Sequence, residues 1–425
     1  MNLLRGRVRW LLIFWMFVMS AIAYLDRVNI SIAGGAIARD FHLDNVRLGW
    51  VFSSFVLGYA LFQAPGGRLA DRFGPRRIVT LGVIWWGVFT ALSASVPVMA
   101  GALWIMIGVR FALGMGEAVV YPASNRLVAK WIPSSERGIA NGLIFTGVGA
   151  GAGVTPPLIR YILENYGWRW SFCAIVGLLA GLVWYFIARD IPEEHPWVDR
   201  QERDLIEAGL PQAPEEHDSH RTLPWAAIFR SKDLLAMTAS YFAYGYAAYI
   251  FFTWFFIYLS TVRGLNLKAS SYYAMLPFAA MAIGSLLGGY FSDRLTKRYG
   301  KRVGRCGIAI MGIGLAAVFI ALGTQVASAE LASVVLAGGA GALYLSQSSF
   351  WSVTADLAGS SAGSVSGVMN MGGQMGGVVT ASLSPWIAGH FGWTASFLTA
   401  AVLCAIGSAA WVWVDPDKQL LVRSG

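Results

Sequence analysis

Twelve stretches of about 20 mostly apolar residues recur along the chain, each long enough to cross the hydrocarbon core of a bilayer as a helix. They fall near 10–32, 47–69, 78–98, 101–127, 137–158 and 169–189, and then near 234–260, 270–292, 305–324, 330–353, 363–387 and 393–414. Lipid offers a backbone no hydrogen bonds, so each stretch must satisfy its own by winding into a helix. Composition agrees: of 425 residues, 56% are apolar and 13% are charged, whereas a soluble domain carries about 25% charged residues. The expectation is an all-α membrane protein.

The one long polar segment runs from Asp190 to Lys232. It holds Glu193-Glu194-His195-Pro196, a short helical pattern around Asp199–Glu207, and Glu215-Glu216-His217-Asp218. It reads as a linker, dividing the chain into an N-terminal six-helix bundle (1–190), a cytoplasmic linker (191–232) and a C-terminal six-helix bundle (233–425). Arg5, Arg7 and Arg9 before an apolar run, then Ala21-Ile22-Ala23, imitate a cleaved leader. The Asp26-Arg27 pair and the many later spans point instead to an uncleaved first helix.

Basic residues fix the orientation. They gather at the N-terminus, at Arg68, Arg72, Arg76 and Arg77, at Lys130 and Arg137, in the linker and at Arg294–Arg305. The alternate loops carry few, so the first set should face the cytoplasm, with both termini inside a plasma (bacterial inner) membrane. This placement also accounts for the net charge of +9 without nucleic acid. Cys173, Cys306 and Cys404 lie far apart and show neither metal spacing nor a disulfide framework. His42, His195, His217, His220 and His390 form no two-His metal site with a carboxylate, and no Gly-rich phosphate loop opens a soluble helix. No metal, cofactor or enzyme activity is expected.

The chain repeats itself. Gly67-x-x-x-Asp71-Arg72 recurs as Gly289-x-x-x-Asp293-Arg294, and Gly167-Trp168-x-x-Ser171-Phe172 recurs as Gly392-Trp393-x-x-Ser396-Phe397. The second shift also maps Gly142, Gly147 and Gly151 onto Gly367, Gly372 and Gly376. Two six-helix bundles of one orientation, related by an axis along the membrane normal, leave a cavity between them that rocking can open to either side.

The run Gly67-Arg68-Leu69-Ala70-Asp71-Arg72-Phe73-Gly74-Pro75-Arg76-Arg77 resembles the loop motif of the major facilitator superfamily; its second copy, ending Arg298-Tyr299-Gly300-Lys301-Arg302, carries an insertion. Tyr24-Leu25-Asp26-Arg27-Val28-Asn29, Arg110-Phe111-x-x-Gly114-x-x-Glu117 through Tyr121-Pro122-Ala123, Trp131-Ile132-Pro133-x-x-Glu136-Arg137-Gly138 and Pro192-Glu193-Glu194-His195-Pro196 resemble the anion:cation symporter family. That family includes bacterial sugar-acid transporters. The resemblance implies proton-carrying roles for Asp26 and Glu117, with Glu117 the more exposed to the cavity. It also implies cavity-facing polar groups at Tyr24, Asn29, Tyr59, Ser348, Trp351 and Asn370.

Ionisable residues deep in a membrane are costly and therefore functional candidates. Four fit: Asp26, Arg27, Arg110 and Glu117. At about 1.5 Å per residue the first three lie level, with Glu117 roughly 10 Å nearer the middle. Arg27 is the expected anchor for a substrate carboxylate, because a guanidinium grips it through two parallel bonds; a structural pair with Asp26 or Glu117 is the alternative. Arg110 is a second binding candidate or a partner for Asp26. Of Tyr241, Tyr244, Tyr246 and Tyr249, at most two are expected at the cavity. Gly67, Asp71, Arg72, Gly74, Arg76, Asp293 and Arg294 are expected to gate, each acid capping a helix N-terminus and pairing with an Arg.

The function these features imply is proton-coupled symport of a small organic anion, such as a hexonate, hexuronate or aldarate, with sodium as the other possible coupling ion. One bundle pair suffices, so the monomer is expected to function. The alternative is a proton-driven drug or metabolite exporter. Such exporters usually show Gly-Pro in the middle of helix 5, where this chain has Gly151-Ala152.

Overall fold

A computed structural model describes residues 7–43, 45–172, 175–210, 223–255 and 258–420. Arg5, Cys173, His217, His220 and the Glu215–Asp218 segment lie outside them. The chain folds as twelve helices in two six-helix bundles. In the first, α1 is Val8–Asp40, α2 Asn45–Phe73 and α3 Pro75–Ser95. The fourth, α4, runs as Ala102–Glu117 and, past a two-residue turn, Val120–Trp131; α5 is Arg137–Tyr166, and α6 includes Ile175–Ile187. In the second bundle, α7 begins as Lys232–Tyr249 and continues in π-helical Ile250–Trp254; α8 is Leu267–Tyr299 and α9 includes Ile308–Gln325. The tenth, α10, is Ala329–Leu345 and Gln347–Ala358, and α11 and α12 share Ala362–Ala410, parted where Gly392 takes φ 86°.

Several helices outrun their apolar stretch, α1, α2, α5 and α8 most of all. Hydropathy marks the hydrocarbon core, whereas intrahelical bonds persist through the headgroup layer. Exposed Phe14, Leu57, Ile84, Trp104, Leu179 and Val402 give the outside an apolar face suited to lipid.

The repeat in sequence becomes a repeat in packing. A Cβ on Gly151 would lie 2.2 Å from the Ala21 carbonyl oxygen of α1, and one on its counterpart Gly376 would lie 2.2 Å from that of Phe242 in α7. Across the bundles, a Cβ on Gly142 would lie 2.7 Å from the Ser285 oxygen of α8, and one on Gly367 would lie 2.5 Å from the Gln63 oxygen of α2. Small residues let backbones touch here. The α5–α8 and α2–α11 crossings are thus the twin seams between halves.

A linker helix, Arg200–Gly209, caps the start of α1: Glu202 accepts the N–H groups of Val8 at 3.1 Å and Arg9 at 3.0 Å. Further along, the Leu223 carbonyl accepts from Arg68 and its N–H donates to Ser361 Oγ at 2.8 Å, so the linker touches both bundles.

Candidate functional site

A cavity lies between the bundles. The first bundle contributes Tyr24 of α1, Tyr59 of α2, Tyr121 of α4 and Phe145 of α5; the second contributes Tyr241, Tyr244 and Tyr249 of α7, Gln347 and Trp351 of α10, and Asn370 and Gln374 of α11. Ten of the sixteen lining residues are aromatic. Three of the four α7 tyrosines reach the cavity, one more than expected. Tyr246 is the exception, packed against Ser384 at 3.4 Å.

Arg27 sits just behind this wall. Its guanidinium carbon lies 4.0 Å from the Tyr59 ring centroid and 4.8 Å from that of Tyr24, and its Nε donates to Glu117 Oε1 at 2.6 Å. Equal depth was expected of Arg27, Asp26 and Arg110, with Glu117 apart. Side chains lean toward the start of their own helix, so Arg27 reaches inward from α1 and meets Glu117. Glu117 is 1% exposed and Asp26 is the less buried of the two acids, and neither lines the cavity.

Asp26 faces α3, where Oδ2 accepts from Trp86 Nε1 at 2.5 Å and Thr90 Oγ1 at 3.5 Å. It makes no ion pair with Arg110 among the described residues. Arg110 lies over Phe55, 4.9 Å from the ring centroid, and its buried Nε has no hydrogen-bond partner. Asn29 and Ser348 do not line the cavity. Both are fully buried; Asn29 Nδ2 donates to the Ser171 carbonyl at 3.0 Å, holding α1 to α6.

Polar pairs tie the cavity to the seams. Asn370 Nδ2 donates to Gln63 Oε1 at 2.8 Å across the bundles, and Tyr241 Oη accepts from Gln347 Nε2 at 2.9 Å and Trp351 Nε1 at 3.2 Å. Gln63, Gln347 and Gln374 went unremarked in the sequence, although an amide in an apolar helix is itself a signal.

Toward the linker end the bundles are fastened twice. Asp71 accepts the N–H groups of Gly363 at 2.9 Å and Ser364 at 2.7 Å, and Asp293 those of Gly138 at 2.8 Å and Ile139 at 2.6 Å. Each acid thus caps the helix that opens the opposite seam, α11 or α5. Their cationic partners are Arg126 at 3.8 Å and Arg305 at 2.7 Å, not the adjacent Arg72 and Arg294. Arg72 lies over Phe73 and Arg294 donates to Tyr290 Oη at 2.8 Å, both facing outward. Gly74 takes φ 85° ahead of Pro75, and the Arg76 N–H donates to Asp190 at 2.8 Å, closing the α2–α3 turn. A buried Arg137–Asp356 pair, joined by Lys301 at 3.4 Å, adds a third tie.

The model for the Major Facilitator Superfamily matches residues 16–381, and again 300–424. The chain belongs to this superfamily. It is 33% identical to a probable sulfoacetate transporter of Cupriavidus necator, covering 97% of this chain and 95% of that one. It is 29% identical to a probable galactarate/D-glucarate transporter of Escherichia coli (91% and 89% covered) and 29% identical to a hexuronate transporter of Bacillus subtilis (94% and 92%). A solved proton:xylose symporter of the superfamily bound to 6-bromo-6-deoxy-D-glucose shares the fold, with a TM-score of 0.76 at 15% identity over 96% of this chain and 97% of that one. The superfamily and these relatives are transporters, not enzymes, and work as integral multi-pass membrane proteins. In this superfamily member the candidate site is the cavity between the bundles, lined by rings, hydroxyls and amides.

Proposed function

We propose that the chain is a proton-coupled symporter that carries a small organic anion, with sugar acids foremost, across the plasma membrane by alternating access. The bundles span 1–190 and 233–425, joined by a cytoplasmic linker at 191–232, and the linker end with both termini faces the cytoplasm. Relatives that carry galactarate, glucarate or hexuronate by name support the cargo class.

One observation carries the coupling: the 2.6 Å ion pair of Arg27 with Glu117 behind an otherwise uncharged cavity. A carboxylate entering past Tyr24 and Tyr59 competes with Glu117 for the same guanidinium. Two parallel charge-assisted bonds let it win. Glu117, left buried without its cation, takes up a proton rather than remain an unpaired charge. Proton and anion are then bound together. With the net charge of the core preserved, the bundles can rock past one another, parting the Asp71 and Asp293 caps to release both on the cytoplasmic side.

Uptake of galactonate, glucuronate or glucarate into proteoliposomes should be driven by an inward pH gradient. Full uptake by Arg27→Ala protein would overturn the reading.

A further inference from the structure

The cavity wall also bears on how many charges the cargo carries, an inference that rests on the anion reading above. None of the sixteen lining residues is Asp, Glu, His, Lys or Arg. The wall built by α7, α10 and α11 offers only hydroxyls, amides and rings, and two of its groups are left wanting. Tyr244 Oη and Gln347 Oε1 are buried with no hydrogen-bond partner. A hydroxyl-bearing tail would satisfy both at once, donating to the Gln347 oxygen and accepting from the Tyr244 hydroxyl.

Cations are confined to the opposite side. Arg27 stands one ring behind the wall. Arg110 stands deeper, beyond Phe55, whose centroid is 4.9 Å from the Arg110 guanidinium carbon and 5.5 Å from that of Arg27. Phe55 is itself buried and is not part of the lining. A substrate held at Arg27 therefore turns its far end toward a neutral wall, where a second carboxylate or sulfonate would lose its hydration without gaining a counter-charge.

The geometry points to a monoanion as cargo: one carboxylate at Arg27 and an uncharged, hydroxylated tail against Tyr244 and Gln347. Doubly charged acids are selected against, by an unpaired charge rather than by size. In this the chain departs from its relatives named for sulfoacetate and galactarate.

Matched pairs isolate the second charge. D-Galactonate and galactarate share a carbon skeleton and differ at one end, as do D-glucuronate and D-glucarate, and 2-hydroxyethanesulfonate and sulfoacetate. Binding of all six to purified full-length protein is measured by calorimetry at pH 8, where every acid is fully ionised. In each pair that binds, the monoanion should be at least tenfold tighter. Equal or tighter binding of the dianion would overturn the inference while leaving proton-coupled anion transport standing. Binding of none of the six would overturn both.

A second arm places a cation on the neutral wall. Gln374→Lys should shift the preference within a pair toward the dianion by tenfold or more. An unchanged preference in folded Gln374→Lys protein would mean that this wall does not read the second charge.

Discussion

Arg27 and Glu117 are each other's ion-pair partner: a 2.6 Å bond joins α1 to α4, and Glu117 Oε2 has no hydrogen-bond partner. Glu117→Gln keeps the shape and removes the titrating group. Such protein should exchange anion for anion across the membrane at near wild-type rates, while its uptake becomes insensitive to an imposed pH gradient. Counterflow and gradient-driven uptake in the same vesicles separate the two.

Arg27→Lys retains the charge but not the fork. Loss of one of two charge-assisted bonds, worth about 1.5–3 kcal/mol, should weaken anion binding by roughly 10- to 100-fold, measured by calorimetry. Undiminished affinity would show that bidentate capture is not used.

The caps at Asp71 and Asp293 bridge the two bundles at the linker end. Asp293→Asn loses the Arg305 pair and weakens two backbone bonds, so the closed arrangement should lose about 1–3 kcal/mol. Spin labels at the exposed positions of Arg72 and Arg294, one on each bundle, report the opening as a longer distance. Asp71→Asn should act in the same direction, and the double variant more strongly.

Gly142 has backbone of the other bundle where a side chain would go, whereas a Cβ on Gly153 in the same helix meets nothing within 4 Å. Gly142→Val should destabilise by about 1–3 kcal/mol, and Gly367→Val likewise, because neither the α5–α8 seam nor the α2–α11 seam has room for an added side chain. Gly153→Val is the control and should melt near wild type in a thermal-unfolding assay.

His195 gives the linker a pH dependence. Its Nε2 donates to the Ile187 carbonyl at 2.8 Å, its Nδ1 accepts the Trp197 N–H at 3.2 Å, and it packs edge-on to Trp131. Burial, with a smaller contribution from Arg189, lowers its affinity for a proton below the ordinary His value. The unfolded segment therefore binds more protons. Stability from this contact is complete above about pH 6.5 and is lost as pH falls through the lowered folded value. Proteolysis of the linker should accelerate between pH 7.5 and 5.5, and the acceleration should vanish in His195→Gln.

The fold was legible because apolar length and charge placement follow from the solvent, and because Gly142 and Gly151 recur at Gly367 and Gly376. The four buried charges were legible for the same reason: lipid tolerates few. Which of them pair was not. Pairing depends on helix rotation and on the lean of each side chain, so Arg27 turned to Glu117 and Asp26 to Trp86. The caps were legible as a motif, but Arg126 and Arg305 lie 55 and 12 positions from their acids, and only the folded chain brings them close. Asn29 and Ser348 look like any polar groups at mid-membrane until packing turns them away from the cavity.

The twin caps also set how the molecule must move. Because Asp71 grips the first turn of α11 and Asp293 that of α5, a tilt that freed only one would twist the bundles about the other. The cheapest path releases both together. A carrier that moves in this way would behave as a switch with two stations rather than as a hinge with a continuous range, and the duplication of the chain itself would suppress a leak through a half-open linker end.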